Sequence, residues 1–140
     1  MAATNGSVLA LDVGGKRIGV ATASLIARLP HPVTTLANDA DFFANLQSIV
    51  NEESVTALVV GLPRGLQGQE TEQTRTIEEF INELKERVNL PIYTQDEAVT
   101  SEHAEAELKQ RGKPYQKSDI DALAATYILD DWLAEHQEVT

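Results

Sequence analysis

Apolar and polar residues follow two different periods along the chain, and together these periods predict nine secondary-structure elements. Short, nearly continuous apolar runs are typical of buried strands, whereas apolar residues three and four positions apart are typical of amphipathic helices. The order that results is β-β-β-α-β-α-β-α-α. The predicted strands are 7–13, 17–24, 33–36, 57–61 and 91–95, and the predicted helices begin at Asn38 or Asp39, at about Glu70, at Thr100 or Ser101 and at Ser118.

This order of elements predicts an α/β protein built on one mixed sheet. Short turns separate the first three strands, which indicates an antiparallel meander, and helices precede the last two strands, which indicates parallel pairing. We therefore expect a five-stranded sheet flanked by helices. One known arrangement of this element order places the first strand at the centre, with the fourth and fifth strands beside it in that order. A chain of 140 residues suits a single domain over 1–140, with flexible ends at 1–6 and 136–140.

Asp12 stands at the end of the most apolar strand, where a solvated charge is not expected. Functional groups collect at the ends of the central strands in sheets of this kind, so Asp12 is a candidate site residue. The alternative is a turn residue whose side chain accepts hydrogen bonds from nearby backbone amides. Its position alone leaves both interpretations open.

Glu97 follows the fifth predicted strand, directly after Asp96. Neighbouring strands lie about 4.8 Å apart, so the fifth strand is roughly 10 Å from the first. Two side chains that reach inward could close this gap around a cation. The alternative for Glu97 is an ordinary solvated acid in a loop.

Asp121 lies on the stripe of the last helix that should face the sheet, because it shares that stripe with Ala125, Ile128 and Trp132. An ionised carboxylate on a buried face is unfavourable unless it is paired or binds a metal ion. The alternative is structural, since Ser118 and Asp121 have the spacing of a capping box. Considered alone, Asp121 fits this structural role well.

Together, the three carboxylates Asp12, Glu97 and Asp121 suggest a site for a hard cation such as Mg²⁺ or Mn²⁺. Two such ions could activate water and stabilise the leaving oxygen in phosphodiester hydrolysis. The chain has no cysteine, which excludes disulfides and thiolate metal sites. The three histidines are interpreted as surface residues: His31 in a loop, His103 at a helix start and His136 near the end of the chain.

The charge of the chain weakens a nucleic-acid interpretation without excluding it. The formal net charge is −11, and such a protein repels phosphates unless its basic residues are gathered in one place. Several are gathered in this way. Four basic residues fall close together, Lys109, Arg111, Lys113 and Lys117, and three more lie beside predicted strand ends, Lys16, Arg17 and Arg64.

The same composition predicts a cytoplasmic protein. The longest apolar run is too short to cross a bilayer, and the first residues lack the basic and apolar regions of a signal peptide. We therefore expect no membrane partner, and the absence of cysteine suits a reducing compartment. A monomer and a homodimer remain equally open.

Four sequence motifs follow one another within residues 8–133: LDVGGKRIGVA at 11–21, VVGLP and GQE within 59–70, QDE, TSE and AE within 95–105, and SDIDALAA at 118–125. They resemble the motifs of the YqgF family, which is described as Holliday-junction-resolvase-like and as nucleases that trim the 5′ end of precursor 16S ribosomal RNA. One departure stands in the third motif, where Ala98 replaces the arginine that is usual in the family.

The resemblance implies an RNase-H-like fold and assigns acidic metal ligands to Asp12, Glu97 and Asp121. It also suggests Lys16 and the loop 61–68 as candidates for contact with the substrate. The loss of the arginine at Ala98 puts phosphate positioning in doubt, because an arginine there could pair with carboxylates or with a phosphate.

The leading hypothesis is a metal-dependent endonuclease, using Mg²⁺ or Mn²⁺, that acts on structured RNA or branched DNA. The substrate-binding residues in this hypothesis are Lys16, Arg17, Arg64, Lys113 and Lys117. A second hypothesis, motivated by Ala98 and the net charge, is a catalytically weak nucleic-acid-binding factor of the same fold. A third is an actin-like ATPase or sugar kinase, which would need two such domains where this chain supplies one.

Overall fold

The computed structural model describes residues 6–63, 72–97 and 100–136, and within these ranges the elements follow one another in the predicted order. None of the helices in these ranges is long and apolar enough to cross a membrane. The elements are β1 (Ser7–Val13), β2 (Arg17–Ser24), β3 (His31–Ala37), α1 (Phe42–Glu52), β4 (Val55–Pro63), α2 (Glu72–Arg87), β5 (Ile92–Glu97), α3 (Thr100–Arg111) and α4 (Lys117–Glu135).

The five strands form one sheet in the order β3-β2-β1-β4-β5, which confirms the predicted topology. The pairs β1–β2 and β2–β3 are antiparallel, and the pairs β1–β4 and β4–β5 are parallel. The carboxyl ends of β1, β4 and β5 therefore lie along one edge of the sheet. Asp12 is opposite Gly19 in this register, and Glu97 is opposite Pro63.

The apolar run of β1 is continuous because both of its faces are buried. Leu9 and Leu11 belong to the core under α1 and α2, whereas Val8 and Ala10 belong to the core under α4. Alternate residues of a strand point to opposite faces, so a strand covered on both sides needs apolar residues at every position. Asp12 is thus a carboxylate at the end of the best-buried segment of the chain.

Helix α4 lies across one face of the sheet and contacts all five strands. Two glycines allow this close approach. A Cβ atom on Gly19 would lie 1.9 Å from the backbone oxygen of Asp121, and a Cβ atom on Gly61 would lie 2.4 Å from Cδ1 of Ile128. The start of α4 is therefore seated on β2, and later turns of the helix pass over β4 and reach β5.

Several predicted boundaries move in the structure. The third strand begins at His31, which was predicted to lie in a loop, because the backbone of Thr22 in β2 pairs with it. The fifth strand continues to Glu97, so this residue belongs to the sheet and not to the following loop. At the start of α1 the N-cap is Asp41, and Asp39 accepts the backbone N–H of Asp41 with its side chain at 2.9 Å.

Both ends of the described chain are held by contacts. The carbonyl of Gly6 accepts the N–H of Leu25 at 3.0 Å. His136 stacks on Trp132 with ring centroids 4.4 Å apart, so it is partly buried and not the surface residue that was predicted. His31 and His103 are exposed, as predicted. The remaining residues of the ends predicted to be flexible, 1–5 and 137–140, lie outside the described ranges.

Candidate active site

The N-terminus of α4 is capped by Gln116, and this frees Asp121 from a capping role. The side chain of Gln116 accepts the backbone N–H of Asp119, and the carboxylate of Asp119 accepts the N–H of Gln116 at 2.9 Å. A capping box between Ser118 and Asp121 is therefore wrong. Asp121 instead lies over the sheet, next to Gly19.

Asp121 forms an ion pair with Arg17. The Nε atom of Arg17 donates to Oδ2 of Asp121 at 2.6 Å, and the Asp121 side chain retains 18% of its exposure. The pair joins the first residue of β2 to the second turn of α4. Each strongly oriented, charge-assisted bond of this kind restricts both side chains. The conformation of Asp121 in this structure is therefore set by an internal cation.

Asp12 lies beside Asp121, because Asp12 and Gly19 face each other in the β1–β2 register and Gly19 underlies Asp121. Burial first, and then the negative charge of Asp121, raise the pKa of the Asp12 carboxyl to about 6. Desolvation and like charge both disfavour the ionised form, so a nearby cation would be strongly favoured at this point.

The turn after β1 does not depend on the Asp12 side chain. The N–H of Gly14 donates to the carbonyl of Arg17 at 2.9 Å, and the side-chain amide of Asn38 donates to the carbonyl of Gly14 at 2.9 Å. Among the described residues, no hydrogen bond involves the Asp12 carboxylate. The turn role that sequence reasoning left open for Asp12 is thus not seen.

Glu97 ends β5 on the same edge of the sheet, but its nearest acidic neighbour is on α4. The pKa of Glu97 is raised to about 8 by burial first, then by a hydrogen bond with Asp131 and the charge of Asp131, and to a smaller extent by the charges of Glu135 and Asp12. Glu135 in turn accepts a hydrogen bond from Gln95 at 3.0 Å. Glu97 is therefore closer to Asp131 than to Asp12.

Sequence reasoning missed Asp131 and Glu135. The available signal was their spacing, because Ile128, Asp131 and Glu135 lie three and four residues apart and share one face of α4. What the spacing could not supply was the path of α4 across the sheet, which brings this face over β5. Five carboxyl groups consequently lie along this edge of the sheet: Asp121, Asp12, Glu97, Asp131 and Glu135.

These carboxyl groups form a row and not a closed cage. No three acidic or histidine side chains in the described ranges are close enough together to hold a metal ion in their present rotamers. Arg17 holds Asp121 at one end of the row, and Asp131 holds Glu97 at the other. The donor set still suits Mg²⁺ or Mn²⁺, because it consists of carboxylate oxygens and the charge on Asp12 is opposed by its surroundings.

Two of the five predicted substrate-binding residues lie beside this row. Arg17 and Lys117 line an open cavity of about 460 Å³ together with Asp121, and we call this the Tyr115 cavity after its aromatic wall residue. Lys16 is exposed in the turn after β1. Lys113 lines a neighbouring cavity of about 390 Å³ on the other side of Tyr115. Arg64, most of the loop 61–68 and Ala98 lie outside the described residues.

The sequence model of one protein family, described as RuvX, Holliday junction resolvase, matches residues 6–135. The chain belongs to the RuvX family. This confirms the resemblance seen in the four sequence motifs. The match spans every element of the sheet and all four described helices, so family membership applies to the whole domain.

Relatives of this RuvX-family chain are similar over nearly their whole length. A protein from Dechloromonas aromatica, with the provisional name pre-16S rRNA nuclease, is 40% identical over 138 residues, which cover 96% of this chain and 94% of the relative. A protein of the same provisional name from Thermosynechococcus vestitus is 40% identical over 131 residues, covering 91% of this chain and 87% of the relative.

Solved structures confirm the RNase-H-like fold of this RuvX-family chain. The Thermus thermophilus RuvC structure in complex with a Holliday junction substrate superposes with a TM-score of 0.56, covering 96% of this chain and 98% of that one. Its sequence identity is 14%, so the likeness speaks for the fold alone.

Proposed function

We propose that this protein is a metal-dependent endonuclease that processes the 5′ end of precursor 16S ribosomal RNA. The observation that carries the proposal is the position of Asp12, a partly buried carboxylate flanked by Asp121 and Glu97 on the edge where three parallel strands end. Membership of the RuvX family and the names of its relatives support nuclease chemistry on nucleic acid.

In this proposal Asp12, Glu97 and Asp121 hold one or two divalent cations. A bound Mg²⁺ or Mn²⁺ supplies Lewis acidity toward the phosphate and lowers the pKa of a water nucleophile. The protein contributes a partly buried, negatively charged edge that attracts a cation. Asp131, whose charge acts on Glu97 from α4, adds a further carboxylate to this end of the edge.

The phosphate backbone would be bound by basic residues, two of which lie on the rim of this edge. Arg17 and Lys117 are nearest, since both line the Tyr115 cavity with Asp121. Lys16, Lys113 and Arg64 complete the proposed set. Their clustering matters because a protein with a net charge of −11 attracts a polyanion only where its cations are concentrated.

Cleavage of branched DNA is the second candidate function, and the description of the family as Holliday junction resolvase favours it. The experiment that separates the two is a cleavage assay with Mn²⁺ on precursor 16S RNA and on a four-way DNA junction, each with an EDTA control. We expect accurate removal of the 5′ flank from the RNA and slow or absent cleavage of the junction. Binding of both substrates without cleavage of either would instead identify a catalytically weak binding factor.

Metal affinity is expected to rise with pH between about 6 and 8, because carboxyl groups must lose their protons to bind a cation. The pKa of Asp12 is raised from 3.8 to about 6 and that of Glu97 from 4.5 to about 8. Each proton released would increase the apparent Mn²⁺ affinity by up to about tenfold per pH unit. Calorimetric titration at pH 6, 7 and 8 measures this slope, and equal affinities at the three values would contradict it.

The same pKa shifts determine whether the metal-free protein becomes more or less stable as the pH rises. Both groups keep their protons more tightly in the folded state, so their stabilising contribution is complete below about pH 4. It is lost as the pH rises through about 6 for Asp12 and about 8 for Glu97. We expect the melting temperature in EDTA to fall between pH 5 and 8 and Mn²⁺ to offset the fall.

Replacing Arg17 with alanine is expected to strengthen Mn²⁺ binding by about two- to fivefold. Asp121 must leave its ion pair with Arg17 before it can bind a cation, and a partly exposed pair contributes roughly 0.5–1 kcal/mol. The same variant should bind RNA more weakly, since it lacks a phosphate-binding cation. Calorimetry measures both constants. Arg87→Ala is the matched control, because it breaks a partly exposed pair with Glu83 on α2.

A further inference from the structure

We infer that the Tyr115 cavity is a binding site for one unpaired nucleobase, next to the scissile phosphate. This inference rests on the proposed function, because it concerns the same substrate. The cavity lies between α3, the loop before α4 and the start of β2, and its volume of about 460 Å³ is within the usual range for small-ligand pockets.

The walls of the cavity suit a flat, uncharged ring with polar edges. Tyr115 and Ile120 supply aromatic and aliphatic surface, and both side chains also pack on the small core between α3 and α4. The hydroxyl of Tyr115 donates to Glu105 at 3.1 Å, which fixes the orientation of the aromatic ring. Nucleobases in single strands are commonly bound by stacking on such aromatic side chains.

The charges of the cavity favour a base over a phosphate. Glu102, Glu105 and Asp121 place three carboxylates in the lining, against two cations. A phosphate inside would be repelled, whereas the N–H groups on a base edge can donate to carboxylates. Lys117, and the guanidinium N–H groups of Arg17 other than the Nε–H that is paired with Asp121, would then contact the phosphates on either side of the bound base.

The position of the cavity connects it to the reaction. Asp121 belongs both to the cavity lining and to the row of carboxyl groups that includes Asp12. A base in the cavity therefore belongs to a nucleotide immediately beside the phosphate at that row. A single-stranded RNA flank offers such a base freely, whereas a paired base must first be extruded from its stack, which is unfavourable. The cavity thus selects substrates that are unpaired at the cleavage position.

The test is a double-mutant cycle that combines substitutions of Tyr115 with the removal of single bases from the RNA. The probe is a fluorescein-labelled single-stranded RNA spanning the mature 5′ end of 16S RNA, together with a set of the same RNA carrying one abasic nucleotide at successive positions. Dissociation constants are measured by fluorescence anisotropy in EDTA. Tyr115→Leu should weaken binding of the intact RNA by about tenfold, and Tyr115→Phe, which keeps the ring, by about twofold or less.

At one abasic position the difference between wild type and Tyr115→Leu should disappear, because the stacking partner is already missing. Tyr93→Leu is the control, since Tyr93 lies on β5 and contacts Trp132 rather than the cavity. If Tyr115→Leu weakens binding by the same factor at every abasic position while wild type cleaves precursor RNA normally, the assignment of the cavity is wrong and the proposed function still stands. Failure of wild type to bind or cleave any of these RNAs would overturn the proposed function as well.

A second pair of variants covers the case in which Tyr115→Leu does not fold. Glu102 is exposed on α3, so Glu102→Trp fills the cavity from a position that carries no packing. It should weaken binding of intact RNA and leave binding of the critical abasic RNA unchanged. Gln110→Trp places the same bulk at an exposed site on α3 outside the cavity. Equal effects of the two substitutions would contradict the inference.

Discussion

Asp12→Asn is expected to lower the rate of Mn²⁺-dependent cleavage by at least about a thousandfold while the protein stays folded. A cation at the phosphate contributes several kcal/mol of transition-state stabilisation, and about 4 kcal/mol corresponds to this factor. Asparagine has nearly the shape of aspartate but carries no charge to hold the cation. Single-turnover cleavage of precursor RNA measures the loss.

The same substitution should make the metal-free protein more stable. Burial and Asp121 raise the pKa of Asp12 from 3.8 to about 6, so at pH 7.5 its ionised form opposes folding. Removing that charge can raise the free energy of unfolding by up to about 3 kcal/mol. Urea unfolding in EDTA measures this gain, and addition of Mn²⁺ should stabilise wild type but not the variant.

This combination of lost activity and gained stability distinguishes a functional carboxylate from a structural one. A carboxylate that stabilised the turn after β1 would show the opposite change in stability when replaced. Asp130→Asn is the matched control, because Asp130 is exposed on α4 and its replacement should alter neither property. Unchanged cleavage by Asp12→Asn would show that the chemistry lies elsewhere.

The sequence predicted Asp12 and Asp121 as neighbours because their positions follow from local rules. A strand covered on both faces has a continuous run of apolar residues, so a carboxylate at the end of such a run is easily recognised in the sequence. The stripe that Asp121 shares with Ala125 and Ile128 shows which side of the last helix faces the sheet. Both facts need only the strand and helix periods.

The rest of the site depends on the angle at which α4 crosses the sheet. The spacing of apolar residues along the chain does not determine this angle. Glu97 pairs with Asp131 because the end of α4 passes over β5, and Asp121 meets Arg17 because the start of α4 is seated on β2. The predicted capping box between Ser118 and Asp121 was wrong for a related reason. Gln116 and Ser118 each precede an aspartate by three residues, and only the observed backbone selects Gln116.

The clearest sequence signal for this crossing is a glycine in each of two strands, Gly19 in β2 and Gly61 in β4. Gly19→Ala is expected to destabilise the protein by about 3 kcal/mol, because overpacking of a rigid contact costs roughly 1–3 kcal/mol and this contact is extreme. The added Cβ would lie 1.9 Å from the backbone oxygen of Asp121, so α4 itself must move. Urea unfolding measures the loss.

Alanine substitutions at two further glycines are expected to give progressively smaller losses of stability. Gly61→Ala should cost less, because its Cβ would meet the flexible end of Ile128 at 2.4 Å, and Gly15→Ala should cost little, because nothing lies within 4 Å of its added Cβ. Displacement of α4 at Gly19 should also weaken Mn²⁺ binding, since Asp121 moves away from Asp12, whereas Gly15→Ala should retain it. Equal stability of the Gly19 and Gly15 variants would mean that α4 is not seated on β2 as described, and the acidic row would then lose its structural basis.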